Sequence, residues 1–404
     1  MRKMQTKNWK IVLTILTANV VMMSAGYTML IPFLPMYLMR ELGVAPEHVK
    51  LWTGAVFSIT FLIGGIMAPI WGRMADTRGK KLMAMRSSIG LALSYFLGGV
   101  VAGPEQMFMV RALQGFAAGL WSVCLAICTS SVPVARLGVS LGILQAGLIA
   151  GNVIGPLVGG TLATLVGMRA SFFVAGSLLT LIAGVFYIFV PEPPKTPVTE
   201  EGSSKNLQED VDTSLPLLAR PIVRETLAYT ALVQMVILLI QPVLALYVEE
   251  LNHSSENIMF LSGAVFSLMG IASAITAPMW GRFGQRRGFH LALGLATALS
   301  AAAACLVALP DTLCLFAVLN FAYGMCFAGI NPSLSAVLAK YSSQAEKGRV
   351  FGYMFSAQQF GSMVGPLLGG AVGTFLPLKT LFFLSGAVLA AISALVWRRH
   401  RLHM

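Results

Sequence analysis

Arg111 stands inside an apolar run, with Gln114 three residues on and Gly115 beside it. A guanidinium at the middle of a membrane helix costs about 2.5–3.5 kcal/mol on insertion scales, so a charge held there is a functional candidate. It could serve as the partner of an anion. A second reading puts it near the outer rim, little more than a turn past Glu105, with its head reaching the interface. The other stretch with chemistry in it is Gly72-Arg73-Met74-Ala75-Asp76-Thr77-Arg78-Gly79-Lys80-Lys81, read as a loop between two apolar spans. Gly72 lets a neighbouring helix approach. Asp76 can accept hydrogen bonds and face the positive N-terminus of another helix. Arg73, Arg78, Lys80 and Lys81 set topology and form ion pairs. The plain alternative is an ordinary basic loop.

What is missing is equally informative. Every Asp and Glu lies in a loop or at a span end, and the five histidines lie outside the spans or at their edges. Cys124 and Cys128 share a helix face but have no His or carboxylate nearby, so they read as small core residues. No metal site and no cofactor are expected. No phosphate-binding loop of the form G-x4-G-K-[ST] is present, which argues against direct ATP drive. A membrane enzyme would need clustered His, carboxylate or Ser/His groups at one face, and the chain offers none.

The elements that must hold these residues follow from composition. Hydrophobic residues make up 56% of the chain and charged residues 11%, against about 25% charged in a soluble domain. The chain therefore reads as an all-α integral membrane protein. Twelve stretches are long and apolar enough to span: 11–34, 51–73, 82–102, 106–129, 139–163, 170–190, 224–248, 258–281, 290–309, 313–336, 350–374 and 379–397. Basic residues crowd alternate loops, whereas the other loops hold only Arg40, Lys50, Arg169 and Lys379. That pattern excludes a nucleic-acid surface as the reason for the +12 charge and places both termini in the cytoplasm. Residues 191–223, with Pro191-Glu192-Pro193-Pro194 and a run of acids, read as a cytoplasmic linker between bundles at 1–190 and 224–404.

The two bundles repeat one another. Gly54-Ala55-Val56-Phe57-Ser58 returns as Gly263-Ala264-Val265-Phe266-Ser267, and Ala68-Pro69-Ile70-Trp71-Gly72-Arg73 as Ala277-Pro278-Met279-Trp280-Gly281-Arg282, both 209 positions on. Gly142, Gly151, Gly155-Pro156 and Gly159-Gly160 return 210 positions on as Gly352, Gly361, Gly365-Pro366 and Gly369-Gly370. Gln285 stands where Asp76 would repeat. Parallel repeats of this kind mark secondary transporters.

These motifs together resemble the major facilitator superfamily, more narrowly its twelve-span drug:proton antiporters and the MdtG-like efflux proteins among them. The 72–81 stretch matches the superfamily's G-x-x-A-D-x-x-G-R/K-K, and Arg111-Ala112-Leu113-Gln114-Gly115 matches R-x-x-Q-G. The Gly142 to Gly160 pattern matches the antiporter signature of the fifth span, and Gly26-x5-Pro32-x-x-Pro35 is a weaker match in the first. The resemblance implies twelve helices in two six-helix halves that rock about a central site, and export by proton antiport across a bacterial inner or plasma membrane, as in antibiotic resistance. It implies that Asp76 latches the cytoplasmic side against the eleventh helix, that Arg111 handles protons, and that Pro156 bends the fifth helix. Cavity-lining helices would then offer Asn19, Tyr27, Gln114, Trp121, Gln145, Asn152, Gln234, Gln241, Asn320, Tyr323, Gln358 and Gln359. Such uncharged groups suit small amphipathic or apolar substrates. Lacking an intramembrane acid, the chain is expected to accept neutral or anionic ones, and to act as a monomer in the bilayer. The alternative is a facilitative or symport carrier for a small metabolite.

Overall fold

The computed structural model describes residues 9–133, 136–192, 217–252, 257–343 and 346–402. Every regular element among the described residues is helical. The N-terminal helices are α1 (Trp9–Met29), α2 (Leu34–Arg40), α3 (Pro46–Arg78), α4 (Lys80–Val100), α5 (Pro104–Phe116), α6 (Leu120–Ser131), α7 (Leu137–Leu165) and α8 (Met168–Phe189). Then follow α9 (Pro221–Ile240), α10 (Leu244–Asn252), α11 (Ile258–Arg287), α12 (Phe289–Val307), α13 (Leu313–Phe327), α14 (Ile330–Lys340), α15 (Lys347–Phe375) and α16 (Lys379–Leu402). Ten of the helices or end-to-end helix pairs are long and apolar enough to cross a membrane. The two expected spans outside that set, 82–102 and 350–374, fall on α4 and α15, helices of 21 and 29 residues with more polar sequences. Most of the linker expected at 191–223 lies outside the described residues.

Four expected spans are interrupted. The first breaks between α1 and α2, where Pro32 and Pro35 remove backbone donors. The fourth breaks before Gly119, whose φ of 113° is left-handed. The seventh carries a 3-10 turn at Gln241–Val243, around Pro242, and the tenth breaks at Ala328 and Gly329. The expected loop at 72–81 is corrected more sharply. Residues 72–78 continue α3, and the turn is Gly79 alone, with φ 112°. Pro69 and Gly72 sit within α3 without ending it, and the helix runs on to Gly79, whose left-handed φ turns the chain. Gly288, 209 positions later, does the same between α11 and α12 with φ 96°.

Contacts divide the chain into two compact units: residues 1–195 with 242–267, and residues 196–241 with 268–404. In the first unit α1 packs on α7, α4 on α8 and α3 on α5. Phe172 is its aromatic centre, 5.8 Å from Phe33 and 5.1 Å from Tyr37 between ring centroids. The Tyr37 hydroxyl donates to Gly98 O at 2.8 Å. In the second unit α9 packs on α15, and α12 on both α13 and α16.

The α1–α7 contact is made by glycine. A Cβ on Gly151 would press on Val21, Ser24 and Ala25, one on Gly155 on Ala25 and Thr28, and one on Gly159 on Met29. Gly147, which the motif does not include, extends the row toward Thr17 and Val21. Backbone can meet backbone only where side chains are absent. Gly361, Gly365 and Gly369 make the same row against Ala231, Met235 and Leu239 of α9. Gly142 has open space around it and takes no part.

Candidate functional site

Arg111 lies on α5 of the first unit with 2% of its surface exposed. Its Nη1 donates to Gln114 Oε1 at 2.6 Å, the i to i+3 contact that helical spacing allows. The guanidinium lies 5.0 Å from the Phe57 ring centroid, a cation–π contact from α3. Thr60, also on α3, donates to Arg111 O at 3.2 Å. The phenols of Tyr27 on α1 and Tyr95 on α4 are its electrostatic neighbours. Arg111 Nε and Nη2 are buried without a hydrogen-bond partner. So are both amide atoms of Asn19, on α1 and 1% exposed. A buried unpaired donor costs about 1–3 kcal/mol, more when charged. The burial matches a held charge rather than a side chain reaching the interface.

The other expected site residues fall in separate places. In the first unit Tyr27 and Trp121 are half-buried, whereas Gln145 and Asn152 on α7 are exposed. Ser24 donates to Asn152 Oδ1 at 2.8 Å and also bonds Leu148 O at 2.7 Å, so Asn152 helps join α1 to α7. In the second unit Gln241, Asn320 and Tyr323 are buried, and Gln234, Gln358 and Gln359 are half-buried. Pro156 lies inside α7, and the chain nearby bonds outward: Ser267 donates to Val153 O at 2.6 Å. Gly160 abuts Met259 and Phe260, and Gly263 abuts Pro156.

Gly72, Arg73 and Asp76 occupy the last turns of α3, and their side chains lie outside the described residues. Arg78 is exposed at the end of that helix. Lys80 reaches α6, donating to Ser130 Oγ at 2.7 Å and Ala126 O at 3.2 Å. Sequence reasoning missed Glu192. Its carboxylate accepts from the Lys80 and Lys81 backbone N–H groups at 2.7 and 3.0 Å, capping α4. A Cβ on Gly79 would sit 2.9 Å from Glu192 Oε1, the end of a side chain that can shift, so it is the left-handed φ that calls for glycine at this turn. The available signal was that α4 has no acid in its own first turn.

Among the described residues no Asp or Glu is buried and no group of His, Cys, Asp and Glu could hold a metal. Among the described residues of the first unit, Arg111 is the one buried cation, and the groups nearest it are neutral.

The glycine-locked helical frame and the buried Arg111 suit a membrane carrier, and the family comparison shows one. The Major Facilitator Superfamily model matches residues 16–273 and 226–403, and the chain belongs to that superfamily. It is 34% identical to the multidrug resistance protein MdtG of Proteus mirabilis (strain HI4320), over 96% of this chain and 95% of that one. It is 32% identical to the MdtG of Salmonella heidelberg (strain SL476), over 98% and 97%. Among solved structures the nucleoside transporter NupG aligns with TM-score 0.75 at 16% identity, over 96% and 98%. The human organic anion transporter MFSD10 aligns with TM-score 0.70 at 19% identity, over 96% and 99%. At such identities these two show the fold alone.

Proposed function

We propose that the chain is a secondary active exporter of small amphipathic or apolar molecules, working by alternating access and driven by proton antiport. Its setting is a bacterial inner membrane with both termini in the cytoplasm, and residues 191–223 tether six-helix halves at 1–190 and 224–404. The relatives named as multidrug resistance proteins support export, as does the glycine row along α7.

The observation that carries the substrate class is Arg111, buried with two donors unpaired beside Tyr27, Tyr95 and Gln114. A site with a fixed cation and no buried acid repels cations and welcomes neutral or anionic molecules, the latter by charge-assisted hydrogen bonds. Asp76 is the candidate for the cytoplasmic latch, on the strength of its motif. A facilitative carrier is the second reading, and the lack of a buried Asp or Glu among the described residues favours it.

Efflux from proteoliposomes under an imposed pH gradient, with and without a protonophore, separates the two. The panel should hold neutral, anionic and cationic drugs. Gradient-dependent export of neutral and anionic drugs is the expected result. Transport indifferent to the gradient would establish the facilitative carrier, and a preference for cations would remove Arg111 from the substrate site.

A further inference from the structure

The glycine rows fix which residues of the two units correspond. Gly151, Gly155 and Gly159 meet α1 at Val21, Ala25 and Met29, and Gly361, Gly365 and Gly369 meet α9 at Ala231, Met235 and Leu239. Partner and glycine alike are 210 positions apart. At that spacing Lys10 corresponds to Arg220 and Arg136 to Glu346.

In the second unit these positions hold an ion pair. Arg220 donates from Nη1 and Nη2 to the Glu346 carboxylate at 3.0 and 2.9 Å, with the Arg220 side chain 7% exposed. In the first unit both positions are basic. Lys10 and Arg136 are exposed, and among the described residues no carboxylate pairs with either. Two like charges stand where the other half holds opposite ones.

The surroundings differ in the same sense. A cavity of about 600 Å³ lies between α1, α7 and α8 of the first unit, walled by Leu13, Thr17, Val21, Ile143, Leu178 and Leu181. It opens sideways, since Ile143, Leu178 and Leu181 are exposed. Lys10, Thr14, Thr17 and Val21 follow one face of α1, and Arg136 caps the start of α7, seven positions before Ile143. Both cations therefore lie toward the same end of the groove, with Trp9, an interface-seeking residue, beside Lys10. In the second unit Leu227 replaces Thr17 and Tyr353 replaces Ile143, and both pack on a core of Val223, Val350 and Met354. There the charge is neutralised from within, by Glu346.

We propose that this groove binds an anionic phospholipid, with an acyl chain in the apolar cleft and the phosphate between Lys10 and Arg136. The phosphate takes the part that the Glu346 carboxylate plays in the other half. A soluble anion has no use for the apolar walls, and a neutral apolar drug has none for the two cations. A lipid satisfies both. The inference needs only the membrane setting and is independent of the export reading.

The test is native mass spectrometry of the purified full-length protein, equilibrated in mixed micelles with equal phosphatidylglycerol and phosphatidylethanolamine. One tightly retained phosphatidylglycerol is expected. Lys10→Gln with Arg136→Gln should cut the preference over phosphatidylethanolamine by about fivefold for each charge removed. Ala18→Phe, which fills the groove, should lower retention of both lipids. Should Ala18→Phe fail to fold, the glutamine variant still decides, because both of its sites are exposed. Equal retention of the two lipids by the unaltered protein, or an unchanged preference in the glutamine variant, would overturn the proposal.

Discussion

The first and second units share a backbone frame and differ in where they hold charge. Trp71 donates to Phe116 O at 2.8 Å, and its repeat Trp280 donates to Met325 O at 2.9 Å. A Cβ on Gly115 would strike Thr60 O, and one on Gly324 would strike Met269 O. Helix crossings fixed by backbone contact are thus duplicated down to single atoms. Side-chain chemistry is not. At the 209 spacing Asn320 and Tyr323 stand where the first unit has Arg111 and Gln114. A duplicated frame keeps what packing requires and leaves charge free to diverge, so function is to be sought where the repeat fails.

The comparison breaks first at Arg111. Arg111→Ala should lower drug export in proteoliposomes at least about tenfold, the effect of roughly 1.4 kcal/mol in the barrier. Asn320→Ala should change it much less. Equal losses from both variants would mean that the buried charge is not what distinguishes the halves. Next come the glycine rows, where the halves should behave alike. Gly155→Leu and Gly365→Leu each force a side chain into backbone and should each cost about 3 kcal/mol, the upper range for overpacking. Thermal unfolding in detergent measures both, and a tolerant row on one side would end the claim of a common frame.

The third prediction concerns the ion pair of the second unit. The hydrogen bond from Arg220, helped by Ser343, holds the Glu346 carboxyl below the usual carboxylate range. Its stabilisation is whole above the ordinary carboxylate pKa and fades as pH falls through the depressed value. Glu346→Gln should therefore cost about 1.5–2 kcal/mol at neutral pH, the lower range for a charged bond still touched by solvent. That deficit should shrink as pH falls below the ordinary carboxylate pKa and vanish only below the depressed one, as a melting series against pH would show. The smallest effect is a transplant. Arg136→Glu places the second unit's charge pattern in the first and should raise stability by about 0.2–1 kcal/mol, as exposed pairs do. A fall in melting temperature would show that Lys10 and Arg136 do not correspond to Arg220 and Glu346.

The sequence showed the frame better than the site, for physical reasons. Apolar length and the Gly155-Pro156 pattern reveal spans and close packing, because both are local along the chain. The breaks at Gly119 and Ala328 escape notice, since hydropathy continues across them and one residue suffices to turn the backbone. The 72–78 stretch looked like a loop because it is charged, yet charge at a helix end does not stop a helix. Arg111 was visible as a charge in an apolar run, and Gln114 by its spacing. Phe57, Thr60 and Tyr95 come to it from α3 and α4, and no spacing within one helix announces a neighbour from another. Gly147 was missed because motif matching stops at the motif, whereas the packing row goes on.

Glu192 has a consequence for the length of the connection between the units. Because its carboxylate is fastened to the start of α4, the chain stays tied to the first unit as far as residue 192, past the end of α8. Residues inserted beyond that point should leave the α3–α4 turn alone. The same residues inserted between Val190 and Glu192 would slacken the cap itself, so two insertions a few positions apart would have opposite fates.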